Sequence, residues 1–342
     1  MSGGDLKLSV LDLIPVVEGG SAGEALAGST ELVRLAERSG YHRHWVAEHH
    51  SMPGIASSSP AVVIAHLAAN SKTIRVGSGG VMLPNHQPLV VAEQFGTLEA
   101  LHPGRIDLGI GRAPGTDQIT AAALRRSADP LSDQELPELL GELLGFFSGE
   151  FPSGHPYTTI QAVPGLGHQP EIWLLGSSGY TAQVAGLLGM PYSFAHHFSA
   201  RNTLPAVELY RSRFTPSSYL DRPRVMIGVG VVCAETDEQA RWLAGPSRLA
   251  FARLRSGNPG RFPTPEEAEA HDFTPDEDAV IRSVAKGHIF GSPDTVRAGL
   301  EKLAADTGAD ELIISTMVHD QSDRLRSYEL VAGAMADSSI CN

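Results

Sequence analysis

Four short clusters in this sequence hold residue types that could bind an anion or move a proton. Glu48-His49-His50 sets two imidazoles beside a carboxylate. An imidazole titrates near neutral pH, so His49 or His50 could serve as a base or a hydrogen-bond donor. The chain has 14 histidines, and a structural role is the competing reading for each. Arg112 follows Gly109-Ile110-Gly111. Its rigid fork of N–H donors suits a phosphate, with a surface ion pair as the commoner reading of a lone arginine. Ser177, Ser178 and Thr181 surround Gly179 where a helix is predicted to begin. Hydroxyls, free N–H groups and the helix dipole make such a turn an anion site, with plain N-capping as the alternative. Gly77-Ser78-Gly79-Gly80 strips side chains from one surface. A planar ring could lie against that backbone, or the chain could bulge there.

A metal-ligand spacing also occurs, in His42-x-His44. It falls at the start of a strand, whereas metal-dependent hydrolase barrels carry theirs at the end of the first strand, so no metal is expected. The charges give 26 − 39 = −13. That balance argues against a nucleic-acid partner, which needs clustered cations, but is compatible with one phosphate-bearing cofactor on a local arginine. Cys233 closes the apolar run 225–232, and Cys341 is the penultimate residue. No structural disulfide and a cytoplasmic setting are expected. The opening Met-Ser-Gly-Gly-Asp lacks an apolar signal core. No apolar run nears the ~18 residues of a membrane span.

The clusters matter only if the fold brings them together. Short β-branched runs alternate with helical periodicity. Strands are predicted at 6–14, 44–47, 74–83, 106–110, 171–175, 192–195, 224–232 and 311–316. Helices are predicted at 22–38, 60–70, 89–101, 132–147, from near 179, at 203–214, 237–255 and 324–336. A further helix opens with Ser292 as cap before Pro293-Asp294 and closes at Gly308. Eight strand–helix units point to an α/β fold, a (β/α)8 TIM barrel in one domain spanning 1–342. An open doubly wound sheet would want a glycine-rich loop after strand one, where the chain reads Asp12-Leu13-Ile14-Pro15. Barrel chemistry sits at the C-terminal strand ends, and each of the four clusters falls at such an end. Surplus length lies in 157–167, read as a hairpin or loop, and in 256–286, an insertion after strand seven. The insertion has two helix-start signatures, Thr264-Pro265-Glu266-Glu267 and Thr274-Pro275-Asp276-Glu277. It reads as a mobile lid over the catalytic face or as a surface excursion.

From Leu6 to Ala332 the sequence resembles the bacterial luciferase-like flavin monooxygenases. The resemblance rests on Trp45-Val46-Ala47-Glu48-His49-His50, residues 76–84, Ala92-Glu93-Gln94-Phe95-Gly96-Thr97-Leu98, His102-Pro103-Gly104-Arg105-Ile106-Asp107-Leu108-Gly109-Ile110-Gly111-Arg112 and Gly176-Ser177-Ser178. It implies a barrel that binds FMN, or in cousins the deazaflavin F420. It implies that His49 assists flavin-peroxide chemistry, and that Arg112, Ser177, Ser178 and Thr181 hold the cofactor phosphate. A non-proline cis peptide against the isoalloxazine would fall at Gly79–Gly80 or Ser78–Gly79. The implied reaction is that of an FMNH2-dependent monooxygenase. Reduced FMN from a separate NAD(P)H:flavin reductase meets O2, and the resulting flavin C4a-peroxide oxygenates a small molecule, such as an aldehyde or a polyketide-type natural product. A homodimer is implied too. An F420-dependent dehydrogenase and a non-catalytic flavin-binding protein are the alternatives on the same barrel. Luciferase has a reactive cysteine where this chain has Gly111, so bioluminescence is not expected.

Overall fold

Aliphatic runs become strands here because a parallel barrel buries both faces of each strand. The computed structural model describes residues 6–113, 115–125 and 135–338. Its strands are β1 (Lys7–Asp12), β2 (Arg43–Val46), β3 (Arg75–Met82), β4 (Ile106–Gly111), β5 (Glu171–Gly176), β6 (Tyr192–Ala195), β7 (Val225–Cys233), β8 (His288–Gly291) and β9 (Glu311–Ser315). The order is β6-β5-β4-β3-β2-β1-β9-β7, and pairing of β6 with β7 closes the ring. All pairings along the ring are parallel. The result is the expected eight-stranded (β/α)8 TIM barrel.

β8 is a ninth strand that the sequence reading missed. It pairs with the outer half of β7, from Gly230 opposite His288 to Cys233 opposite Gly291. β6 has ended by then, at Ala195 opposite Gly228. Four residues with no alternation, three half-buried and the last buried, leave little sequence signal for such a strand.

The first strand also stops earlier than predicted. Asp12 is fully buried; its carboxylate accepts from Ile14 N–H at 2.7 Å and from Ser29 Oγ at 2.6 Å. Ile14 then takes a φ of 54°, which no strand allows.

The helices largely follow their end signals. Ser21 and Glu24 form a capping box at the start of Ala22–Arg38. Thr274 and Glu277 do the same for Pro275–Ala285, and Thr264 caps Pro265–Glu269. Ser292 is the N-cap residue of Pro293–Thr307, but its side chain makes no capping bond. The helix predicted from 132 is described from Glu135, as Glu135–Ser148; its predicted first residues lie outside the described part, as do Pro114 and Cys341. Among the described residues no helix is long and apolar enough to cross a membrane.

The barrel interior is plugged from below. Arg43, fully buried, bonds Asp107 at 2.6 Å and Glu311 at 2.7 Å. A charge placed there persists only because it is paired. Above that layer Trp45 and Trp173 meet edge to face at 5.7 Å, and Trp45 Nε1 donates to Asp107 at 2.8 Å. His42 and His44 belong to this N-terminal side. Above the filled floor lies the C-terminal mouth, where the strand ends carry the candidate residues.

Candidate active site

A cavity of about 800 Å³ occupies that mouth. Its lining includes His49, Gly79, Gly80, Arg112, Ser177, Ser178 and Thr181. The turns after β2, β3, β4 and β5 thus face one space.

The two imidazoles after β2 have separate fates. His50 donates through Nε2 to the buried carboxylate of Glu48 at 2.8 Å, and His86 donates through Nε2 at 2.9 Å. Burial pushes the Glu48 carboxyl up, but His86, His50 and the Met82 N–H outweigh it and hold the group below its usual range. His49, in contrast, lines the cavity. Its backbone N–H donates to Ser57 O at 2.9 Å, which fixes the turn. Its Nδ1 is buried with no partner. Burial lowers its pKa to about 4 against the pull of Glu48, so the ring is neutral at pH 7 and can both accept and donate.

The glycine wall serves two purposes at once. The β3–β4 register shifts between Gly79 and Val81, so the strand does bulge. The Gly79–Gly80 peptide is cis. A Cβ on Gly79 would come within 2.7 Å of Leu11 Cδ1, and one on Gly80 within 2.7 Å of Gly109 O. Backbone packing thus leaves no space for a Cβ at Gly80, a Cβ at Gly79 would need Leu11 to shift, and the bare backbone of both borders the cavity.

The opposite end of the cavity brings Arg112 to the start of the helix after β5. Ser178 is the N-cap residue of Gly179–Leu188, yet its side chain makes no capping bond. The Ser178 hydroxyl therefore does not satisfy the first-turn N–H groups of that helix. The Arg112 guanidinium stacks 4.7 Å over the ring of Tyr180, in the first turn of the same helix. Arg125 lines the cavity too, with its Nε donating to Asn85 at 2.9 Å. The sequence reading missed it because Gln118–Arg125 lies in a stretch to which no element was assigned. Among the described residues no group of three His, Cys, Asp or Glu is placed to hold a metal ion.

The sequence profile of the luciferase-like monooxygenases matches residues 6–311. The chain belongs to that family. It is 45% identical over 325 residues to a luciferase-like monooxygenase of Escherichia coli K12, covering 95% of this chain and 96% of the relative. The crystal structure of apo-MsnO8 superposes with a TM-score of 0.89 at 42% identity, covering 97% and 98% of the two chains. At lower identity the fold alone is shared with two other proteins. One is the oxygenating constituent of a Pseudomonas putida 3,6-diketocamphane monooxygenase in complex with FMN, at 21% identity, TM-score 0.71 and coverages of 97% and 98%. The other is an F420-dependent secondary alcohol dehydrogenase with an F420–acetone adduct, at 12%, 0.70, 97% and 99%.

In this luciferase-like monooxygenase a Cβ at Gly111 would fall 2.7 Å from Met82 Sδ, so a side chain there needs Met82 to shift. It also has a second cavity, of about 440 Å³, beside the first. Phe251, Phe262, Ile281, Phe290 and Met317 make this chamber largely apolar. The insertion covers it. Phe262 N–H donates to Val16 O at 2.9 Å, and Glu18 N–H to Phe262 O at 2.8 Å. These bonds stitch the segment to the turn after β1. The two cavities share Leu13, His197 and Phe198.

Proposed function

We propose that this protein is an FMNH2-dependent monooxygenase that oxidises a small, mainly apolar organic molecule with O2. The observation that carries the reading is the convergence on one cavity of an uncapped helix start, a stacked arginine, a bare glycine wall and a neutral histidine. The cavity volume is in the range of pre-formed cofactor sites, ~300–1,000 Å³. An FMN phosphate would be held at the Arg112–Ser177–Ser178–Thr181 end, and the flat ring would lie against Gly79 and Gly80. The unpartnered Nδ1 of His49 is a buried polar atom that a bound polar group would satisfy.

Bound reduced flavin would supply the electrons that activate O2. The chain's own groups bind and position. Arg112 and the helix start anchor the anion, and Met82 and Trp45 help to wall the cavity from water. His49 offers a hydrogen bond, or takes a proton, next to the ring. The apolar chamber holds the organic substrate, with the 256–286 insertion as its lid; opening it must break the two bonds at Phe262. A separate NAD(P)H:flavin reductase would deliver FMNH2. Exposed Val62, Val90 and Leu101 on helices Pro60–Ala69 and Pro88–Leu101 support a homodimer. The test is reconstitution with a flavin reductase, NADH, O2 and a panel of aldehydes and aromatic polyketides. The reading expects FMN-dependent incorporation of one atom of labelled O2 into product. Hydride transfer from F420 without O2 consumption would contradict it.

A further inference from the structure

His197 borders both cavities, and the assignment of residues to the cofactor leaves it unused. Its neighbour His196 is committed at both nitrogens, Nδ1 to Thr203 Oγ1 at 2.8 Å and Nε2 to Lys286 O at 3.2 Å. His197 is committed at one. Its Nδ1 lies 2.9 Å from Gly228 O. A carbonyl oxygen only accepts, so Nδ1 carries the proton and Nε2 is left as the acceptor. Nε2 makes no hydrogen bond to any described residue.

The Gly228 carbonyl orients the ring through Nδ1. A Cβ on Gly228 would lie 3.1 Å from His197 Cε1 and Nδ1, and one on Gly287 would lie 2.7 Å from His197 Cα. A side chain at either glycine would crowd His197. Burial holds the pKa of His197 near 4, despite the Gly228 bond, and His288, His196 and His49 push it the same way. The acceptor therefore persists at neutral pH. The chamber's charged groups, Arg248 and Arg282, lie against Asp278 at 3.7 and 3.9 Å. His288, also in the chamber, bonds through Nδ1 to Val284 O at 3.1 Å. At the junction itself, the other two shared residues, Leu13 and Phe198, have apolar side chains.

We propose that His197 is a substrate-anchoring and specificity residue, whose Nε2 selects an apolar molecule bearing one hydrogen-bond donor and holds that donor at the edge of the cofactor cavity. The assignment rests on the reading of the larger cavity as the flavin site. The substrate class follows from the surroundings: a hydroxyl or N–H on an otherwise apolar body that fits about 440 Å³.

The test is calorimetric titration of the full chain, with and without FMN, using 1-octanol and octyl methyl ether as probes. The ether keeps the chain but lacks the donor. Wild type is expected to bind the alcohol roughly five- to tenfold tighter, the worth of one neutral hydrogen bond. His197→Phe should bind both probes equally, with FMN affinity unchanged within about twofold, because Phe keeps the bulk and loses the acceptor. His197→Gln can donate to Gly228 O and still accept, so it should restore part of the preference; it also serves if the Phe variant does not fold. Equal binding of the two probes by wild type, no binding of either, or a preference that survives in His197→Phe would overturn the proposal. Failure of wild type to bind FMN, with the alcohol preference intact, would instead remove the flavin reading and leave the anchoring role standing.

Discussion

The backbone N–H of Met82 donates to the buried carboxylate of Glu48 at 3.0 Å. That bond ties the turn carrying His49 to the strand carrying Gly79 and Gly80, so two walls of the cavity share one anchor. With His50 and His86 on the same carboxylate, Glu48 is the scaffold of the motif and His49 the member that faces the cavity.

Replacing Glu48 with Gln should therefore be costly without touching the cavity directly. The amide oxygen cannot satisfy three donors as a carboxylate does. We expect a loss of about 2 kcal/mol in denaturant unfolding, together with weaker FMN binding. A variant as stable as wild type would show that the network contributes little.

Arg112→Ala should weaken FMN binding at least ~10-fold, since a charge-assisted contact to phosphate is worth about 1.5–3 kcal/mol. Riboflavin, which has no phosphate, should bind both proteins equally. Fluorescence titration of the two flavins separates these outcomes. Equal losses for both would move Arg112 to the ring or to a purely structural role beside Tyr180.

His49→Ala should bind FMN almost as wild type does but oxygenate roughly 100-fold more slowly, the scale of one positioned acid–base group. Full turnover in that variant would end the catalytic assignment.

Acid should destabilise the fold in a defined window. His42, His49 and His197 are held near pKa 4 chiefly by burial, from an ordinary value of 6.5. Between those values the unfolded chain binds protons that the folded chain refuses, so stability falls as pH drops from about 6.5 to about 4. Glu48 and Glu171, held below their ordinary 4.5, extend the loss further down. Unfolding at pH 5 should take up protons, measurable as a buffer-dependent calorimetric enthalpy. Proton release would reverse the sign and refute the assignment.

Much of this was legible in the sequence because barrel strands are continuous aliphatic runs with sharp ends. β4 and β6 lie within one residue of their predicted bounds. The capping signatures at Thr264 and Thr274 were legible because capping is local chemistry. What escaped was set by tertiary contact. β8 exists because β7 outruns β6, which no local pattern encodes. Asp12 ends β1 through Arg324 and Ser29, residues distant in the chain. His197 read as one more histidine, because the carbonyl that fixes its tautomer is 31 residues away. The role of the glycines was only half visible: the bare wall could be read, but not that the Gly109 backbone leaves no space for a Cβ on Gly80.

The central claim is that the turns after β2 to β5 clasp one flavin. The most direct measurement is a crystal structure of the protein with FMN bound. It should place the phosphate within about 3 Å of the Arg112 guanidinium and the first-turn N–H groups of Gly179–Leu188, with the ring against Gly79 and Gly80. A flavin seated in the apolar chamber, or a phosphate turned away from Arg112 and Ser178, would contradict the account.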